Sequence, residues 1–538
     1  MEKIPTLLFT NPATGEQFGQ VAMTPIAEIH LARQSMHTAA RVWAQTPVAE
    51  RVKILRKFQG VLVDALDEIS EVMNMDTGKS RQDALIEAFV TVDMLQAYLS
   101  HAPRWLKPRR VPSGLYIFKR CYVDPRPYGV VAVLAPWNYP LALSLPPVLA
   151  ALLAGNTVIL KPSEVTAATG VLIEKLFQRV PELSPFVRVI HGDGSVGAAL
   201  VDSKPDYIFL TGSTLTGKRV LQAAAEHLIP VASELGGKDA MIVLEDADIQ
   251  AAAHWGVWGA FFNTGQTCMA VERVYVVESV YDEFVRLAVE ETSKLKVGFS
   301  TEIDNPNYLG PVSDPRQIKT IERHLEDGLS KGATILLGGK RSGMFVEPTV
   351  LVNVTHDMLL MRDETFGPLM PIMKVKDEHE AIRMANDNAF GLGASIWSRD
   401  LERAYRVAHQ VEASSIVIND TIAQFAVPML PFGGIKQSGY GRTHGKEGIM
   451  QFTRPYAYVV GETPFEWDIA TLARRPGHYH FLASVVRFLF GVNTRQRMQP
   501  VKEAINTTAL KKPRLALGLG ALLGAAAFAG FAFLKKNR

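Results

Sequence analysis

Tyr207-Ile208-Phe209-Leu210-Thr211-Gly212-Ser213-Thr214-Leu215-Thr216-Gly217 passes from an apolar run through a small polar turn into helical patterning. A buried strand that feeds a helix through a glycine turn is the unit of parallel sheets with crossover helices. The same alternation runs upstream. Apolar strands at 129–135, 157–160 and 187–190 are separated by amphipathic helices starting near Leu141 and Ala167. The expectation is an α/β fold whose ligands sit at the carboxyl ends of the strands. Gly212 and Gly217 bracket a helix N-terminus, where free N–H groups and the dipole favour a phosphate. GSTLTG is not the G-x-G-x-x-G dinucleotide pattern, and a plain strand-to-helix turn fits it as well. Lys161 and Glu164 follow the strand at 157–160. They would grip sugar hydroxyls there, although a surface ion pair reads the same.

Working outward, 11–106 is helical in pattern, with apolar spacing of three and four over 26–43, 48–75 and 81–99. Residues 109–126 are β-branched and aromatic around Pro112-Ser113-Gly114 and read as a hairpin. A second α/β region begins after Glu234. It has a strand at 240–244, a helix at 249–263 and a strand at 274–277, then helices from Tyr281 and Asp314. Strands at 334–337, 349–352, 415–419 and 456–460 follow.

The helix at 249–263 leads into Asn263-Thr264-Gly265-Gln266-Thr267-Cys268, and only one other cysteine, Cys121, occurs in the chain. A thiolate is the strongest side-chain nucleophile near neutral pH once something lowers its pKa or takes its proton. Two cysteines make no disulfide framework, so a reducing compartment is expected. Lys and Arg number 57 against 54 Asp and Glu, a balance that suggests no nucleic-acid partner. With 538 residues, 47% apolar and 21% charged, the chain reads as a multidomain globular enzyme. His478 and His480 lack a third ligand at workable spacing, so no metal site is expected.

No basic and apolar leader opens the chain. Residues 515–534 (LALGLGALLGAAAFAGFAFL) form an unbroken apolar run between basic flanks, long enough to span a bilayer. The reading is a C-terminal transmembrane anchor, with 462–514 as a juxtamembrane extension and the catalytic body on the cytoplasmic side. Phe481 to Phe490, basic and aromatic, would lie in the interface plane or cover part of the body.

Seven short motifs in order resemble the aldehyde dehydrogenase superfamily over about 11–461. They are Pro136-Trp137-Asn138-Tyr139-Pro140, Lys161-Pro162-Ser163-Glu164, Thr211-Gly212-Ser213, Glu234-Leu235-Gly236-Gly237-Lys238, Gly265-Gln266-Thr267-Cys268, Glu364-Thr365-Phe366-Gly367-Pro368 and Pro431-Phe432-Gly433-Gly434. The resemblance implies a Rossmann-type cofactor domain (1–108 and 128–236) and an α/β catalytic domain (237–438). It also implies bridging segments (109–127 and 450–461) that join a homodimer or homotetramer. The tail matches the membrane-tethered fatty-aldehyde branch in arrangement only.

The resemblance also implies the roles. Cys268 attacks the aldehyde, the Asn138 amide and the Cys268 N–H hold the oxyanion, and Glu234 activates the water that releases the acid. Acylating relatives that use coenzyme A usually lack that glutamate, so hydrolysis is expected. Lys161 and Glu164 would hold the adenine ribose, and Gly212, Ser213 and Gly217 the pyrophosphate turn. Glu364 would bind the nicotinamide ribose, with Phe366 beside the ring, and Trp137 would be a further cofactor contact. A carboxylate at Glu164 repels a 2′-phosphate, so NAD is expected over NADP. Tyr139, Met269 and Phe425 would line an apolar substrate tunnel, pointing to aliphatic, terpenoid or aromatic aldehydes. The alternatives are a semialdehyde dehydrogenase for a small polar substrate, for which no tunnel arginine can be placed, or a membrane-tethered scaffold without activity. A thiol hydrolase would need a Cys–His pair, and no papain-like C-G-x-C-W surrounds Cys268.

Overall fold

The computed structural model describes residues 4–114, 116, 119–304, 308–461 and 479–499. Two sheets carry the main unit, which takes in 1–109 and 123–456. The first has six strands in the order Gly439–Tyr440, Val231–Glu234, Tyr207–Thr211, Val130–Leu134, Thr157–Lys161, Val187–Val189. All neighbours are parallel except the outermost pair at Gly439–Tyr440. The strands Val130–Leu134 and Thr157–Lys161 are buried at every position. Both faces are covered, which is why these strands read as continuous apolar runs rather than alternating ones.

The chain lays Thr157–Lys161 and Val187–Val189 to one side of Val130–Leu134, and Tyr207–Thr211 and Val231–Glu234 to the other. The reversal opens a crevice beyond Leu134 and Thr211, where ligands of open α/β sheets bind. Pro136 to Asn138 and Gly212 to Ser213 emerge there.

The second sheet has seven strands in the order Thr334–Leu337, Thr349–Val352, Leu369–Val375, Val271–Val277, Asp239–Val243, Gly393–Trp397, Ser415–Ile418. Only its outermost pair, Thr334–Leu337 with Thr349–Val352, is antiparallel. Each sheet has an apolar cluster on either face. Among the described residues the second unit takes in 110–114, 116, 119–122, 457–461 and 479–499. Its described part includes the helix Tyr479–Phe490.

Several elements differ from the sequence reading. The stretch expected to be helical from Asn11 instead opens with the turn and second strand of a hairpin, Thr6–Thr10 with Gln17–Ala22, and its first helix starts at Ile26. The Asn11 side chain closes the turn by accepting from the N–H groups of Ala13 (2.8 Å) and Thr14 (3.3 Å). The helix expected over 48–75 is two helices, Val48–Asp64 and Leu66–Thr77, broken at Ala65 (φ −99°, ψ 11°). The helix expected from Leu141 starts at Leu145, and the strands Leu369–Val375 and Gly393–Trp397 were not foreseen. The apolar run 515–534 lies outside the described residues. Among the described residues no helix is long and apolar enough to cross a membrane.

Candidate active site

The helix Ile249–Phe261 starts on Asp248, whose carboxylate accepts from the Ala251 N–H at 3.1 Å. It stops two residues before the sequence pattern does, because Asn263 (φ 53°) and Thr264 (φ 60°) turn left-handed ahead of Gly265 (φ 71°). Left-handed backbone costs a non-glycine residue about 1–2 kcal/mol, so the turn needs external bonds. Asn263 Nδ2 donates to the Asn138 and Gln266 carbonyls (3.1 and 3.2 Å), and Thr264 Oγ1 to the Gly310 carbonyl (3.0 Å). At Gly265 a Cβ would overlap the Gly367 carbonyl. The turn delivers Cys268 into a cavity of about 240 Å³.

That cavity gathers Cys268, Glu234, Asn138, Trp137, Gly212, Ser213, Glu364 and Phe366 from positions scattered over some 230 residues of sequence. Burial, together with the carboxyls of Glu234, Asp239 and Glu364, pushes the Cys268 thiol well above its ordinary range. The resting group is the thiol, which must give up its proton to act as a nucleophile. Glu234 ends the strand Val231–Glu234 and is 5% exposed. Burial raises its carboxyl to about 7, against the pull of Thr443, whose Oγ1 donates to Oε1 at 3.0 Å and whose backbone N–H adds to it, and of the Arg442 charge. A carboxyl at that value exchanges protons near neutrality. Gly237 lets this segment pass beneath Cys268, since a Cβ there would overlap the Cys268 carbonyl oxygen.

Asn138, 5% exposed, donates one amide hydrogen to the Gln266 carbonyl at 3.0 Å. Its amide carries a second N–H, and the residue lines the cavity with Cys268.

On the cofactor side, Ser213 caps the helix Thr214–Ala225, its Oγ accepting from the Thr216 N–H at 3.2 Å. Gly212 has only Leu210 Cδ1 near its missing Cβ, at 3.8 Å, so this turn is open to a ligand. Gly217 instead packs against Leu235 and is a helix–strand contact. Lys161 pairs with Glu164 at 3.1 Å, and Arg316 approaches the same carboxylate at 3.7 Å. Trp137 and Phe366 meet edge to face at 5.4 Å on the cavity wall. Glu364 accepts from the Gly237 N–H at 3.0 Å, and burial, then Glu272, raises it to about 8. Its loop hangs from the buried Lys238–Glu272 pair (2.6 Å), because Glu272 accepts from the N–H groups of Thr365 (2.7 Å) and Phe366 (2.8 Å). An open turn at a helix N-terminus, a Lys–Glu pair and an aromatic wall fit a dinucleotide.

Lys161, Glu164, Gly217, Tyr139, Met269 and Phe425 are not among the residues lining the cavity. Met269 and Phe425 reach Cys268 through an apolar cluster with Leu392, Ile422 and Phe432. Tyr139 hydrogen-bonds Thr267 Oγ1 at 2.7 Å and faces Phe262 at 6.3 Å. An aromatic run continues from Phe262 to Trp258 (4.9 Å) and Trp255 (5.6 Å), which are 37% and 41% exposed.

Sequence reasoning missed Thr443, the anchor of Glu234. It also missed Lys79 and Glu87, which bind the backbone around Asn138. Lys238 stood inside a quoted motif with no role attached.

A cysteine, a carboxyl raised to about 7 and an amide donor share one cavity beside a crevice that fits a dinucleotide. The model of the Aldehyde dehydrogenase family matches residues 2–457, and the chain belongs to that family. It is 44% identical over 482 residues to a 4,4'-diapolycopene aldehyde oxidase from Methylomonas sp, covering 89% of each chain. Its fold is similar to betaine aldehyde dehydrogenase from Staphylococcus aureus in complex with NAD+ (TM-score 0.82, 29% identity, 86% of this chain and 94% of that one). It is also similar to NADP-dependent glyceraldehyde-3-phosphate dehydrogenase from Bacillus halodurans complexed with NADP (TM-score 0.80, 33% identity, 85% and 96%). The protein is an NAD(P)-dependent aldehyde dehydrogenase that oxidises an aldehyde to the carboxylic acid.

Proposed function

We propose that this chain oxidises long, apolar aldehydes, with Cys268 as nucleophile, Asn138 as oxyanion donor and Glu234 as base. The observation that carries the substrate reading is the apolar surround of the thiol. Met269, Leu392, Ile422, Phe425 and Phe432 pack at Cys268, and aromatic rings lead from Tyr139 out to Trp255. The Methylomonas relative, named for a 4,4'-diapolycopene aldehyde, supports the same class.

The Cys268 thiol loses its proton to solvent as sulfur bonds to the carbonyl carbon, and the oxygen takes the negative charge. The Asn138 amide and the Cys268 N–H stabilise that charge, a contribution worth about 10²–10³ in rate per donor. NAD(P), when bound, supplies the acceptor for the hydride released as the carbonyl re-forms. The thioester left on Cys268 is attacked by water whose proton goes to Glu234, and sulfur leaves as thiolate. Lys161 and Glu164 would hold the adenine ribose, Gly212 and Ser213 the pyrophosphate, and Glu364 the second ribose, with Gly217 seating the helix. The Glu164 carboxylate disfavours a 2′-phosphate, so NAD is preferred.

The apolar run 515–534 supports a tether that keeps the body at a cytoplasmic membrane surface, where such aldehydes dissolve. The segments 109–127 and 450–461 support assembly as a homodimer or homotetramer. The experiment is NAD reduction by the detergent-solubilised full chain across straight-chain aldehydes, with Cys268→Ala as control. Catalytic efficiency that rises with chain length and vanishes in the variant is the expected result. A maximum at short or carboxylated aldehydes would overturn the substrate class.

A further inference from the structure

Lys79 follows the helix Leu66–Thr77, and Glu87 lies in the helix Arg81–Trp105. Both side chains are buried, and they pair at 2.9 Å. A buried ion pair is worth little more to stability than an apolar pair of equal volume. Its use lies in what else its atoms hold.

Lys79 Nζ carries three donors. One goes to Glu87 Oε2, one to the Asn138 carbonyl at 3.0 Å, and the ammonium lies 4.7 Å from the centre of the Tyr139 ring. The other oxygen of the pair, Glu87 Oε1, accepts from the backbone N–H groups of Leu141 (2.7 Å) and Ala142 (2.9 Å). The pair therefore grips residues 138–142 at both ends. This segment follows the strand Val130–Leu134 and precedes the helix that begins at Leu145, so it has no ladder of its own. The Asn138 carbonyl takes a second donor from Asn263 Nδ2 on the nucleophile turn, and Tyr139 is pinned to Thr267. Asn138 and Cys268 are thus referenced to one fixed charge pair.

We infer that the buried Lys79–Glu87 ion pair is a positioning device for the oxidation, setting the Asn138 amide against the developing oxyanion. The inference rests on the proposed role of Asn138. Hydrogen-bond catalysis falls steeply with placement, and a displacement of about 1 Å costs on the order of 10² in rate. A residue that acts through Asn138 has nothing left to position once that amide is gone. A merely structural residue keeps its effect.

The test is a double-mutant cycle on the full-length protein, read as kcat and KM for NAD(P)H formation. The proteins are the parent, Asn138→Ala, Lys79→Met and Lys79→Met/Asn138→Ala, with Cys268→Ala as the floor. Lys79→Met should lower kcat by about 10–100-fold in the parent. In the Asn138→Ala background the further loss should stay under about threefold, while NADH binding, read by fluorescence, is unchanged. Glu87→Gln, which keeps an acceptor for Leu141 and Ala142 but loses the charge, runs in parallel should Lys79→Met not fold. It should show the same pattern more weakly. Equal losses in both backgrounds, or no loss in either, would overturn the inference. An Asn138→Ala variant as active as the parent would instead remove the oxyanion role itself, and an inactive parent the activity.

Discussion

Thr443→Val removes the side-chain hydrogen bond that Glu234 receives among the described residues, the 3.0 Å bond from Thr443 Oγ1 to Oε1. Burial has already raised this carboxyl to about 7, and the Thr443 hydroxyl is the largest influence opposing that rise. A hydrogen bond to a charged group is worth about 1.5–3 kcal/mol net, and the protonated carboxyl keeps part of it. A preference for the ionised form of about 1.4 kcal/mol corresponds to one pH unit. The acid limb of the pH–rate profile should therefore move up by about one unit. At pH 7 the ionised share falls from roughly one half to roughly one tenth, slowing thioester hydrolysis about fivefold. Near pH 9 the variant should match the parent. The assay is stopped-flow NAD(P)H formation followed into the steady state across pH. The first-turnover burst, which precedes hydrolysis, should keep its amplitude, and Thr443→Ser should behave as the parent. A loss equal at every pH, or an unmoved limb, would refute the assignment of Glu234 as base and Thr443 as its tuner.

Three further outcomes are expected. Gly237→Ala, whose new methyl would overlap the Cys268 carbonyl oxygen, should cut kcat by about 10²-fold. It should leave the far-UV circular dichroism spectrum unaltered. Trp258→Ala should raise KM about tenfold for long apolar aldehydes and leave short ones near the parent value, as measured by initial rates. Stability should fall as pH rises from about 6.5 to 8. Burial raises Asp239 and Glu364 to about 8, so in this window the folded chain holds protons that the unfolded chain has lost. Asp239→Asn should flatten the fall in melting temperature.

The parts of the site that were legible in the sequence are those carried by short segments at strand ends. Cys268 is marked by the glycine and small neighbours of its turn, and the structure places it in the cavity. Lys161, Glu164, Gly212 and Ser213 stand where an apolar strand stops. The partners that tune the site were not legible, because they act across the fold. Thr443 lies 209 residues from Glu234, and Lys79 lies 59 from Asn138. No local pattern marks either. The helix leading to Cys268 was read two residues too long, because Asn263 and Thr264 are held left-handed by tertiary bonds rather than by glycine. The break at Ala65 has neither proline nor glycine to signal it. The hairpin at Thr6–Thr10 is short and half-exposed, with too few apolar positions to set a period.

The claim that the reaction runs through a covalent bond to Cys268 is tested most directly by trapping the thioester. In Glu234→Gln the acid-releasing step loses its base, so one turnover with NAD and a long-chain aldehyde should leave the acyl group on the enzyme. Peptide mass spectrometry should then find the acyl mass on Cys268, with NADH formed in equal amount. An unmodified Cys268 with NADH still formed, or the acyl group on Cys121, would contradict the account.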